Sequence, residues 1–223
     1  MRKIQSFVRR AGRLTLGQKS GLNQFWVDFG VNISQNKLDL QTLFSRPAPV
    51  ILEIGFGNGD SLLEMAVESP QTNFLGVEVY AAGVGRLINE AQKRQISNLK
   101  IIKDDGVEVL KNNIIDNSLS GFQLFFPDPW HKKKHQKRRI INTEFLDLIS
   151  RKLKPEATLH IATDWENYAQ QMMKILTQHP HFKNTQAAHK YSIRPKHRPL
   201  TKFEKRGKRL GLGVWDLIFT NEK

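Results

Sequence analysis

From Pro49 onward, short apolar runs alternate with stretches in which apolar residues recur every three or four positions. The runs are Val50–Ile54, Phe74–Val79, Leu99–Ile102, Phe122–Phe126, Leu159–Ala162 and Val214–Phe219. Each has the length of a strand that is buried on both faces. Between them the spacing predicts helices over Ser61–Glu68, Ala81–Gln95, Val107–Asn112, Thr143–Leu153 and Trp165–Gln178. Asp60, Thr143 and Asp164 are candidate N-caps, and Lys154-Pro155 and His179-Pro180 are helix stops. Strands alternating with helices imply βαβ units in a mostly parallel, doubly wound α/β sheet. Residues 1–45 lack clean periodicity and read as a basic extension, ahead of one domain over 46–223.

Composition narrows the function. The chain of 223 residues is long enough to bury roughly 70% of its unfolded surface. It contains no cysteine, which excludes thiol catalysis, iron–sulfur clusters and cysteine-ligated zinc. No apolar run reaches the roughly 18 residues that span a bilayer, and no signal-peptide core follows the basic start, so we expect a cytoplasmic protein without a membrane partner. The net charge is +14 and is unevenly distributed. Met1–Ser20, His131–Arg139 and Lys183–Leu210 together hold 22 basic residues and one acidic residue, Glu204. The rest of the chain is mildly acidic, with 13 basic and 20 acidic residues. Three basic patches on an acidic body suit a surface that meets a phosphate backbone.

The chemistry begins at Val50-Ile51-Leu52-Glu53-Ile54-Gly55-Phe56-Gly57-Asn58-Gly59-Asp60, a strand running into three alternate glycines and then a helix. Glycine lets the backbone turn tightly and approach a ligand at the carboxyl end of the strand. The spacing is not the G-x-G-x-x-G of dinucleotide binding, and Glu53 suits a cationic amino-acid group rather than a pyrophosphate, which disfavours a nicotinamide dehydrogenase. Glu78, at the end of the next strand, can accept hydrogen bonds from both hydroxyls of a ribose. Asp104 and Asp105 follow the third strand, with Asp105 favoured at a ligand and a plain helix cap the competing role. The fourth strand ends in Leu124-Phe125-Phe126-Pro127-Asp128-Pro129-Trp130-His131, where two prolines restrain the loop around Asp128. Trp130 offers an aromatic face beside cations. His131 and His135 have a metal-ligand spacing but no evident third ligand, so no metal is expected. Trp26, Trp165 and Trp215 read as packing residues.

The E-x-G-x-G-x-G turn resembles motif I of the class I S-adenosylmethionine methyltransferases. With the Phe-Pro-Asp-Pro-Trp-His-Lys segment, Ala162-Thr163-Asp164-Trp165-Glu166 and Arg198-Pro199-Leu200-Thr201-Lys202-Phe203-Glu204, the chain from about Phe44 to Phe219 is similar to the bacterial tRNA (guanine-N7)-methyltransferase family. Two differences are conservative, a lysine at 202 and a glycine after Asp105. The resemblance implies a Rossmann-like sheet of seven strands with the last antiparallel. It implies S-adenosylmethionine as methyl donor and, as target, the guanine at position 46 in the variable loop of tRNA. Carried over residue by residue, Glu53, Gly55, Gly57, Gly59, Glu78, Asp105 and Asp128 bind the donor, and Asp128 is also the catalytic aspartate. Lys132, Asp164, Thr201, Lys202, Phe203 and Glu204 bind the substrate, and Lys134, His135, Gln136, Lys137, Arg138 and Arg139 meet RNA.

This inventory suits the reaction. Guanine N7 carries a free lone pair, so transfer needs alignment more than a strong base. The product base is cationic, and a nearby carboxylate stabilises that charge as it develops. Asp128 is expected near the reacting pair, with Asp164 accepting from N1 and N2 on the guanine edge. Methylation of another RNA or base, and a non-catalytic RNA-binding role, are the rival readings. Both a monomer and a homodimer accord with the sequence.

Overall fold

The computed structural model describes residues 6–7, 13–201, 204 and 213–223. All six apolar runs lie in one sheet, as β1 (Val50–Ile54), β2 (Asn73–Val77), β3 (Leu99–Ile102), β4 (Leu119–Phe125), β5 (Leu153–Thr163) and β7 (Trp215–Asn221). The strand not anticipated from a run, β6, is only three residues long, Phe182–Asn184. The order across the sheet is β3-β2-β1-β4-β5-β7-β6. β1 to β5 are parallel, and β7 runs antiparallel to both its neighbours. From β1 the chain winds outward to β2 and β3, then returns to lay β4 on the other side of β1. That reversal opens a crevice beyond the carboxyl ends of β1 and β4, where ligands bind in folds of this type.

Alternation along the strands divides the core in two. Val50, Leu52 and Ile54 join the apolar cluster packed with α6 (Gly106–Asn112), α7 (Thr143–Lys152) and α8 (Glu166–Gln178). Ile51 packs instead with the cluster under α4 (Asp60–Glu68) and α5 (Ala81–Lys93). Glu53, Gln123 and His160 stand next to one another in register on β1, β4 and β5, on the α4–α5 side, and all three are buried.

The cap assignments shift by one residue. Gly59, not Asp60, is the N-cap of α4. At α7 the cap is Asn142, whose side chain accepts from Phe145 N at 3.0 Å, and not Thr143. Trp165 occupies the cap position of α8 with no side-chain bond, so Asp164 does not cap it.

Among the described residues of the first 45 there are three helices, α1 (Leu16–Gln24), α2 (Trp26–Phe29) and α3 (Leu40–Phe44). α1 lies against α5 at backbone contact. A Cβ on Gly21 would stand 2.0 Å from the Gly85 carbonyl oxygen, and one on Gly85 2.2 Å from that of Gln18. The chain beyond α2 is tied down by Val31 N to Ile101 O at 2.8 Å and Leu38 N to Asn113 O at 2.7 Å.

Candidate active site

β1 delivers the chain into a turn whose three alternate glycines all have positive φ, +75° at Gly55, +60° at Gly57 and +78° at Gly59. A side chain is strained in that region. At Gly57 the space where a Cβ would stand is open, leaving the backbone bare to the crevice. Glu78 locks the turn from β2. Its Oε2 accepts from Gly57 N at 2.8 Å, and its Oε1 from Val79 N at 2.7 Å and Tyr80 N at 2.9 Å. Arg86 on α5 holds the outer limb, donating to the Asn58 carbonyl at 2.9 Å and pairing with Asp60 at 2.5 Å. Asp105 caps α6, accepting from Val107 N at 3.0 Å, and it also lines the crevice beside Asp104.

These residues surround a cleft of about 510 Å³. Glu53, Asp60, Glu78, Asp104, Asp105 and Asp128 line it, and among the described lining residues Arg86 is the one cation. Glu53 is only 3% exposed, and its Oε2 has no hydrogen-bond partner among the described residues. Burial, reinforced by the neighbouring Glu78 carboxylate, pushes its carboxyl up to about 8. Ser61 Oγ, at the same turn, is also buried with no partner among the described residues. A buried acid with an unpaired oxygen beside open glycine backbone fits S-adenosylmethionine, whose amino-acid end carries an ammonium group.

Beyond the donor cleft the P-D-P loop leaves β4. Phe126 N still bonds to Ala162 O at 2.8 Å, but Phe126 (φ +53°) and Trp130 (φ +48°) on either side of Pro127-Asp128-Pro129 are left-handed. Each such residue costs about 1–3 kcal/mol, strain of a kind that clusters at functional sites. Asp128 is exposed at the cleft wall. Lys132 and the 3-10 segment Lys133–Arg138 continue from the loop, with Lys132, Lys134 and Lys137 exposed and His135 and Gln136 half-buried. Trp130 is less available than its sequence context suggests. Arg138 lies 3.7 Å over its ring, and its Nε1 donates to Ser6 O at 3.2 Å.

Two expected contact residues are turned inward. Arg139 is 3% exposed, donates to Pro129 O at 2.9 Å and to Asn167 Oδ1 at 3.0 Å, bonds to Gln171, and lies over the Tyr168 ring, so it props the loop instead of facing RNA. Glu204 is 2% exposed and bound to Arg198 Nη1 at 2.7 Å, which removes it from the surface that would close over a base. Thr201 lines the cleft, and Asp164 is half-buried just after β5. Lys202 and Phe203 lie outside the described residues. Arg86 and Ser61 were not singled out from the sequence, and Arg198 opened a quoted motif without a role of its own. For Ser61 the available signal was its position directly after the glycine turn. Trp165 is 39% exposed, with His131 at 4.1 Å between ring centroids, and is less a packing residue than expected.

A doubly wound sheet closed by an antiparallel strand, with a glycine turn, a buried carboxylate and an acid on the second strand at its switch point, defines a class I S-adenosylmethionine-dependent methyltransferase. Solved structures share this fold. The 16S rRNA methyltransferase KamB superposes with a TM-score of 0.63 at 14% identity, over 87% of this chain and 98% of its own. The antibiotic-resistance methyltransferase Kmr gives 0.57 at 13% identity, over 86% and 95%. Residues 47–217 match the family model described as "Putative methyltransferase". The tRNA (guanine-N(7)-)-methyltransferase of Shewanella amazonensis is 52% identical over 219 residues, 98% of this chain and 92% of that protein. The enzyme of the same name from Pectobacterium atrosepticum is 52% identical over 223 residues, 100% and 93%. The chain belongs to the bacterial tRNA (guanine-N(7)-)-methyltransferase family.

Proposed function

We propose that the enzyme methylates N7 of the guanine at position 46, in the variable loop of tRNA. The observation that carries this reading is the placement of Asp128. It stands on a restrained loop at the edge of an acidic donor cleft and leads directly into exposed lysines. The names of relatives at 52% identity over nearly the whole chain support the substrate and the atom.

S-adenosylmethionine supplies an electrophilic sulfonium methyl group when bound. The chain's own residues supply place and charge. Glu53 would hold the ammonium group of the donor with its unpaired Oε2, and Glu78, which keeps the Gly57 backbone aligned, would hold the ribose hydroxyls. Asp105, on the cleft wall, would hold the adenine. On the other wall, Asp128 stabilises the positive charge that builds on guanine as N7 forms its new bond, and Asp164 accepts from the N1 and N2 hydrogens to fix the base. N7 loses no proton, so no side chain has to act as a strong base. Lys132, Lys134 and Lys137 face the RNA backbone. Digesting unmodified bulk tRNA to nucleosides after reaction tests the chemistry: 7-methylguanosine supports it, and any other methylated nucleoside overturns it.

A further inference from the structure

We infer that Arg198 is a positioning residue, a buried strut that joins the cleft segment 199–201 to the strand end carrying Asp128 and so sets the width of the guanine side of the site. The inference rests on the function proposed above.

Arg198 is fully buried, at 0% exposure, which is unusual for a guanidinium and requires close partners. Asp216 on β7 takes it in a two-point grip, Oδ1 from Nε at 2.7 Å and Oδ2 from Nη2 at 2.9 Å. Nη1 reaches Glu204 Oε2 at 2.7 Å. Asp216 is itself fixed to the sheet, because His160 Nε2 on β5 bonds its Oδ1 at 2.7 Å. Burial holds His160 below its ordinary range against the pull of Asp216, so the neutral ring donates. Burial opposes charge on Asp216, but the bonds from His160 and Arg198 outweigh it and hold its carboxyl below the usual range.

The strut touches both walls. Pro199, Leu200 and Thr201 follow Arg198 directly and line the cleft. Thr201 Oγ1 accepts from Glu204 N at 3.1 Å, and Arg194 Nη1 donates to Arg198 O at 2.5 Å, so the segment is pinned at each end. On its other side the Arg198 guanidinium lies 5.8 Å from the ring centroids of both Phe125 and Phe126. Phe126 is the left-handed residue from which the loop to Asp128 departs. A buried ion cluster is weak evidence for stability, since apolar residues of the same volume often serve as well. What an apolar residue lacks is a planar fork that bonds two carboxylates in fixed directions, and lysine lacks it too.

Arg198→Lys and Glu204→Gln test the strut. The Gln variant removes the charge at one end of it, leaving a neutral amide opposite Nη1, and keeps the Asp216 grip intact. For each we would measure the single-turnover transfer rate at saturating donor and tRNA, the Kd for S-adenosylmethionine by calorimetry, and the Tm. A displaced wall of about 1 Å costs on the order of 100-fold in an aligned transfer. We therefore expect a loss of about 10- to 100-fold in rate, with donor Kd within about 2-fold of the parent. A folded variant with a parent-like rate overturns the inference, as does donor affinity falling in step with rate. Should Arg198→Lys not fold, Glu204→Gln decides by the same criteria. Product identity in the parent is established first. A parent that methylates a different nucleoside defeats the functional reading alone, because the variant-to-parent ratio still tests the strut on that product.

Discussion

Glu53 is a buried carboxyl group whose Oε2 has no partner among the described residues, an arrangement that costs stability in the ligand-free protein and makes sense when a cation arrives. Its carboxyl rises from 4.5 to about 8 through burial and the neighbouring Glu78. Between those values the folded chain keeps a proton that the unfolded chain has released. The contribution to stability is complete below about pH 4.5 and is lost as the pH rises through 8. Glu53→Gln should therefore flatten the pH dependence of the urea midpoint between pH 5 and 8.5, while weakening donor binding. Parallel profiles for parent and variant would refute this. Donor binding should also release a proton near pH 7, read as a dependence of the calorimetric heat on buffer ionisation enthalpy. With the carboxylate gone in Asp128→Asn, the single-turnover transfer rate at saturating donor should fall about 100- to 1,000-fold. A parent-like single-turnover rate would remove Asp128 from the chemistry.

Among the elements, those that line the cleft were legible in the sequence because each carries a strong local signal. β1 is a short buried run, and three alternate glycines can follow it only as a turn of unusual backbone. The N-terminal helices were not legible, for a physical reason. α1 docks on α5 through glycine backbone, Gly21 against Gly85, and contact of that kind leaves no apolar stripe to read. Even alanine does not fit there. Gly85→Ala forces the helices apart, and we expect a loss of about 1–3 kcal/mol by denaturant titration. An unchanged midpoint would mean that α1 is not held at backbone contact. The inward turn of Arg139 and Glu204 was hidden likewise, since both sit in charge-rich stretches that read as solvated surface. Only tertiary partners, Asn167 and Gln171 for one and Arg198 for the other, show that they are buried.

At the scale of the whole molecule, charge among the described residues separates into an acidic cleft and a row of exposed lysines beside it. The cleft suits a cationic donor, and Lys132, Lys133, Lys134 and Lys137 stand exposed where the Asp128 loop leaves it. Replacing these four lysines by alanine should lower the slope of log affinity for tRNA against log salt by about 3, at roughly 0.7–0.9 per phosphate contact. Donor affinity should not move, and an unaltered slope would place the RNA elsewhere. The measurement that bears most directly on the account is transfer of labelled methyl from S-adenosylmethionine to two unmodified tRNA transcripts that differ only at position 46, guanine in one and adenine in the other. The account predicts label on the guanine transcript alone. Equal label on both would show that the enzyme's target lies at another position.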